Sequence, residues 1–121
     1  MKKLTCHCRG VEIEVSLPDG LKKLIRCNCS MCKRRSAVMA LVGPNDLKII
    51  KGKELLKLYQ FHTKVAKHYF CSVCGIYTHH STRKDPNILG FNVACLDNVN
   101  PYDLKDISFA DGANHPLDKK K

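Results

Sequence analysis

Seven of the eight cysteines in this 121-residue chain fall into three tight groups: Cys6-x-Cys8, Cys27-x-Cys29-x-x-Cys32 and Cys71-x-x-Cys74. No other feature limits the fold as strongly. C-x-C neighbours are poorly placed to bridge each other and well placed to share one metal ion. A structural zinc site is closed by four protein ligands, whereas a catalytic site keeps three and leaves one position for substrate. Seven thiols divide as four and three. Cys6 and Cys8 with Cys71 and Cys74 make one four-cysteine set, which would pin the N-terminal strand to a late hairpin. Cys27, Cys29 and Cys32 remain as a local three-thiolate cup, with Lys33-Arg34-Arg35 directly behind it. The expectation is two zinc ions, one closed and structural, one open and catalytic.

A disulfide scaffold is the competing explanation for so many cysteines. Met1-Lys2-Lys3 leads straight into Thr5-Cys6-His7-Cys8 with no apolar secretory stretch, and no run is long enough to cross a membrane. The chain therefore reads as a soluble cytoplasmic protein with reduced thiols, where clustered Cys points to metal or catalysis. The formal charge of +10 suggests an anionic partner. Zinc binds thiolates rather than thiols, so seven deprotonated cysteines remove seven charges and two Zn²⁺ return four, leaving +7. Lys119-Lys120-Lys121 place part of that charge in a solvated tail. Aromatics make up only 7% of the chain and are not interleaved with Lys and Arg, so a stacking platform for nucleic acid is not evident. With no Trp, sparse aromatics and eight cysteines counted within the 44% hydrophobic share, metal could decide whether the domain folds, since structural zinc is worth roughly 10–16 kcal/mol in small peptides.

Along the chain, Val11-Glu12-Ile13-Glu14-Val15 alternates with the period of a half-buried strand, and Pro18-Asp19-Gly20 is a turn. Leu21 to Arg26 predicts a short strand delivering the chain to the cysteine cup. Ala37 to Val42 is continuously apolar, as in a buried strand, and Gly43-Pro44-Asn45-Asp46 closes it. Leu47–Ile50 and Leu56–Tyr59 are further strand candidates, with a brief helix over Lys53 to Leu58 as the alternative. Lys67–Phe70 feeds the last Cys pair, and Gly75 suits a tight metal-binding turn. Ile76–Thr82 and Ile88–Leu96 complete the strands around an Asp85-Pro86-Asn87 turn. The pattern fades beyond Pro101, and Asp111 to Lys121 reads as a mobile end. Many short strands with frequent turns predict an all-β domain of antiparallel strands.

Cys95 is the eighth cysteine. It is either a fourth ligand that closes the second site or, as is usual for free Cys, a small buried hydrophobe on a strand. His79 and His80 follow the Cys71/Cys74 turn closely. Either could approach the open metal position, against a surface or hydrogen-bonded role. His7 would point away from the metal, and the sequence offers nothing on His62, His68 or His115.

Taken together, Cys6-x-Cys8, Cys27-x-Cys29-x-x-Cys32 and Cys71-x-x-Cys74-Gly75, with Arg9-Gly10 and Leu96-Asp97, resemble the pattern of the glutathione-dependent formaldehyde-activating enzyme family, which includes centromere protein V. The resemblance runs from Lys3 to Leu104. It implies a domain over residues 3–104 with a C-terminal extension and basic tail over 105–121, and a zinc-containing fold similar to the β-tent group. It implies a structural zinc on Cys6, Cys8, Cys71 and Cys74 and a catalytic zinc on Cys27, Cys29 and Cys32. The implied activity is that of a carbon–sulfur lyase condensing formaldehyde with glutathione to S-(hydroxymethyl)glutathione. Arg34-Arg35-Ser36-Ala37 departs from the family, which often has Gly shortly after its third cluster cysteine. Lys33, Arg34 and Arg35 could offset the formal −1 of Zn²⁺ with three thiolates and hold the carboxylates of glutathione, or form a solvated basic face. The alternative function is a non-catalytic, zinc-stabilised binding module for nucleic acid or protein.

Overall fold

In the computed structural model, which describes residues 1–61 and 64–114, the chain is built almost wholly of short strands. These are β1 (Lys2–Thr5), β2 (Glu12–Val15), β3 (Ile25–Cys27), β4 (Met39–Val42) and β5 (Leu47–Lys51). They continue with β6 (Leu56–Tyr59), β7 (Lys67–Cys71), β8 (Tyr77–Ser81), β9 (Leu89–Asn92) and β10 (Ser108–Ala110). One short α-helix, α1 (Ser30–Arg35), interrupts them after β3. The all-β expectation holds. The predicted solvated tail Lys119-Lys120-Lys121, with His62 and His115, lies outside the described residues.

The strands form a three-stranded sheet in the order β1-β2-β5 and a seven-stranded sheet in the order β10-β3-β4-β9-β8-β7-β6. All pairings are antiparallel except β10 with β3. In β2 the alternation works as read: Ile13 and Val15 are fully buried, while Glu12 and Glu14 face outward. The main core takes Leu4, Ile13 and Val15 from the small sheet, Ala40 and Phe91 from the large one, and Val11 and Val93 from the residues flanking β2 and β9. Cys6 and Cys71 belong to the same cluster. The run Val38 to Val42 is apolar on both sides because the two faces of β4 serve different clusters. Ala40 packs in the main core, whereas Met39 packs with Cys29, Cys32 and Tyr77.

Three local expectations are corrected. Residues Lys53–Leu55 form a 3₁₀ turn leading into β6, not a helix through Leu58; Gly52, at φ 81°, starts it where only glycine fits against the Gly10 main chain. The strand predicted over Ile88–Leu96 stops at Asn92, whose side chain accepts from the Ala94 amide and turns Val93–Cys95 into a 3₁₀ turn. Beyond Pro101 the strand pattern resumes in β10, which is solvent-exposed along its length and so carries no apolar alternation.

Phe91 is the largest fully buried side chain. Phe91→Ala should cost about 3–5 kcal/mol, read as a lower urea midpoint at unchanged slope. A loss below about 1 kcal/mol would mean that this cluster is not what holds the sheets together.

Candidate metal centre

Both predicted cysteine sets assemble. The Sγ atoms of Cys6, Cys8, Cys71 and Cys74 lie within 4.8 Å of one another, and so do those of Cys27, Cys29 and Cys32. All eight thiols are free. Cys6 and Cys8 sulfurs are 3.5 Å apart and those of Cys8 and Cys71 are 3.7 Å apart, far beyond the ≈ 2.05 Å of a disulfide. Zinc–sulfur bonds of ≈ 2.3 Å in a tetrahedron place sulfurs about 3.8 Å apart, so donor type and spacing both fit zinc.

The four-thiol set sits where two turns meet. Cys6 and Cys8 follow β1, and Arg9 turns the chain at φ 63° so that the Val11 amide donates to Cys6 Sγ at 3.3 Å. Cys71 ends β7, and Gly75 at φ 76° lets its own amide reach back to the Cys71 carbonyl. Burial raises the Cys74 thiol, but the backbone N–H groups of Cys8 and Ile76 outweigh it and bring it down to about 6. This turn biases Cys74 toward the thiolate form that binds metal. At Cys8 the Gly10 backbone N–H lowers the thiol, but hydrogen bonding among the clustered thiols and burial outweigh it and raise Cys8 to about 11.

The three-thiol set is built by β3 and α1. Cys27 ends β3, Cys29 is the N-cap of α1, and Cys32 is its buried residue. The Cys32 amide donates to Cys29 Sγ at 3.3 Å, and the Cys29 amide donates to Cys27 Sγ at 3.4 Å. Hydrogen bonds from Cys27 and Cys32 hold Cys29 far below the ordinary thiol range, while the same network raises Cys32 against the pull of Arg35. A six-residue helix ends at Ser36 in the left-handed region (φ 53°), with the Ser36 amide on the Cys32 carbonyl. Beyond β10, Asn28 donates to Asp111 Oδ1 at 3.0 Å and accepts from the Ala113 amide at 2.9 Å. Gly112, between them, is buried with its main chain against Cys27 and Cys29; any side chain there would meet both.

Arg35 is not part of a solvated basic face. Its guanidinium lies 3.7 Å over the Tyr77 ring and donates to Cys32 Sγ at 3.3 Å and to His68 Nδ1 at 3.1 Å. Lys33 and Arg34 remain exposed, Arg34 capping the Ser30 carbonyl at 2.9 Å.

His68, His79 and His80 are interior and hydrogen-bonded, whereas His7 is exposed. Register places Tyr59, His68, His80, Gly90 and Leu41 opposite one another across five strands, so they share one face. Gly90 is required there, because its Cβ would collide with the His80 ring. A bulge inserts Thr78 between the Phe70↔Tyr77 and Tyr69↔His79 pairs. It turns Tyr77 onto the face of His80, whose Nδ1 meets the Tyr77 hydroxyl at 2.6 Å. His79 takes the opposite face, stacked on Tyr69 at 4.7 Å with Nδ1 on the Thr78 hydroxyl. Burial pushes His79 to about 4, and burial, then Arg35, pushes His68 to about 4 and His80 to about 3.

Cys27, Cys29 and Cys32 open on a cavity of about 210 Å³. Its other walls include His68, His80, Leu41 and Phe61, with Arg83 and Lys84 at one side. Cys95 joins neither cluster; it is partly buried, donates to the Tyr77 carbonyl at 3.7 Å and is pushed up to about 12 by burial and by Cys6 and Cys74. Cys95 therefore does not close the three-thiol cup. Sequence reading missed His68, Gly112 and the internal role of Arg35. Only Gly90, a glycine inside a strand run, carried a visible hint of close approach.

Comparison with known proteins agrees with this geometry. A family model described as "Glutathione-dependent formaldehyde-activating enzyme" matches residues 1–109. A structural-genomics crystal structure of a Rhodobacter sphaeroides protein is similar with 51% identity and a TM-score of 0.85, covering 89% of this chain and 99% of that one. Among the described residues, no helix is long and apolar enough to cross a membrane.

The depressed histidines make stability pH-dependent. Below the ordinary histidine pKa of 6.5 and above about 4, the unfolded chain binds the proton that folded His79 refuses, so stability falls as pH drops through that window. In metal-loaded protein, His79→Asn should flatten the stability-versus-pH slope between pH 6.5 and 5 by up to about 1.4 kcal/mol per unit. Equal slopes in chemical unfolding would count against it.

Proposed function

The chain belongs to the glutathione-dependent formaldehyde-activating enzyme family, and from that premise we propose that it is a zinc-dependent carbon–sulfur lyase joining a glutathione-like thiol to a small aldehyde. The observation that carries this is the unequal setting of the two thiol clusters. All three cup thiols line a cavity with room for a small substrate, whereas the other cluster has the four donors that close a structural site. In this reading Cys6, Cys8, Cys71 and Cys74 hold one ion for stability, and Cys27, Cys29 and Cys32 hold a second for chemistry. An ion in the cup would lower the pKa of an incoming thiol and polarise an aldehyde oxygen.

The chain's own residues shape the rest. Arg35, bonded to Cys32 Sγ, offsets the negative charge of the thiolate cup. Ile25, Met39, Leu41 and Phe61 make the wall around the reacting atoms largely apolar and exclude water. Arg83 and Lys84 on one side supply positive charge toward the carboxylates of a glutathione-like thiol. Reduced thiols and the glutathione-like substrate together suit a cytoplasmic setting.

Wild-type protein should bind two zinc ions and accelerate adduct formation from formaldehyde and glutathione, followed by exchange NMR over the spontaneous rate. Cys29→Ser should bind one zinc, lose that acceleration and keep a melting temperature close to wild type. Cys71→Ser should lose cooperative unfolding, because structural zinc is worth roughly 10–16 kcal/mol against a net stability of about 5–15 kcal/mol. Equal destabilisation by both variants would sink the division of labour, and a wild-type rate equal to the spontaneous one would sink the enzyme.

A further inference from the structure

We propose that His68 is a further catalytic residue, whose Nε2–H donates a hydrogen bond to the oxygen of the aldehyde as it is attacked; the inference rests on the reaction proposed above. His68 lies outside the cysteine motif, on β7, and its side is set by the row that crosses the sheet. Its ring is stacked between Phe61 at 5.5 Å and His80 at 5.6 Å, so its orientation is fixed. Nδ1 faces the Arg35 guanidinium at 3.1 Å. A guanidinium only donates, so Nδ1 must accept, and the ring's proton sits on Nε2. A doubly protonated ring would set N–H against N–H and a second cation against Arg35.

Nε2 is therefore a fixed donor. The residue is 6% exposed, lines the cavity shared with the three thiols, and its Nε2 is buried with no hydrogen-bond partner among the described residues. A buried donor without an acceptor is costly; Nε2 is shielded from solvent while the rest of the ring borders the cavity, so a ligand oxygen seated against that wall is the acceptor that would satisfy it. His80 is not fixed in the same way, since its Nδ1 partner is the Tyr77 hydroxyl, which can donate or accept and leaves the tautomer open.

The chemistry needs one such donor. As the thiol sulfur attacks, the S–C bond forms and the C=O π pair moves onto oxygen. The thiol's proton leaves to solvent, and the oxygen takes one up to become the hydroxyl of the adduct. Negative charge develops on that oxygen in between, where a preorganised N–H stabilises it most. The imidazole keeps its own proton throughout. The same donor favours oxygen-bearing adducts over plain S-alkyl thiols.

His68→Phe keeps a ring between Phe61 and His80 but removes the donor; His68→Gln keeps an N–H. With wild-type zinc content and melting temperature, His68→Phe should lower kcat for adduct formation about 10²–10³-fold, as loss of one oxyanion donor does elsewhere, with KM for glutathione within about twofold. His68→Gln should recover about a tenfold part of that loss. Separately, ¹⁵N-imidazole NMR of zinc-loaded wild type should show His68 protonated at Nε2, and that resonance should move on adding S-(hydroxymethyl)glutathione but not S-methylglutathione. A His68→Phe rate equal to wild type, an Nδ1–H tautomer, or an Nε2 signal unmoved by the adduct would each overturn the assignment. If wild type itself shows no acceleration, the reaction falls, while the tautomer and the adduct shift still decide whether His68 faces the ligand.

Discussion

Four sulfur atoms drawn from opposite parts of the chain converge at one point, and the architecture hangs on that convergence. Cys6 and Cys8 leave the small sheet, while Cys71 and Cys74 belong to the β7–β8 turn of the large one. Outside this junction, the isolated Leu4↔Leu96 bridge ties β1 to the chain just beyond the turn that follows β9. Four thiols packed this closely cannot all be ionised without a cation, so a metal ion held there would couple sheet-to-sheet packing to metal supply. The main core then closes around it, with Cys6 and Cys71 themselves among its buried members.

The large sheet does a different task. A β-sheet usually spends one face on the core and shows the other to water, yet every residue of β8 is buried. One face of that strand carries His79 against Tyr69, and the other carries His80 and the bulge-shifted Tyr77 toward the cup. Arg35 joins helix to sheet by touching a thiol, an aromatic ring and an imidazole at once. A guanidinium can do this because it is flat, always charged and rich in donors; a lysine could not hold all three.

What the sequence disclosed follows from where its signals are local. Cys spacing within each group is local, so both thiol clusters were legible, as was the strand alternation at Ile13 and Val15. Arg35 looked like its neighbours Lys33 and Arg34, because a charge run does not say which member faces inward. His68 was silent for the same reason: its meaning depends on Arg35 and on register across strands far apart in sequence. The strand β10 could not be read because it is exposed and paired by backbone alone.

That last strand has a consequence for how the cup comes into being. Cys27, Cys29 and Cys32 meet within a single turn of chain, so they can gather as soon as they leave the ribosome. Their remaining wall arrives with Gly112, held by Asn28 to a partner 85 positions away. If the cup takes up an ion, capturing it and shielding it are thus separate events in the life of the molecule. A nascent or clipped chain ending before β10 would own all the donors of the cup while leaving whatever they grip open to competing chelators.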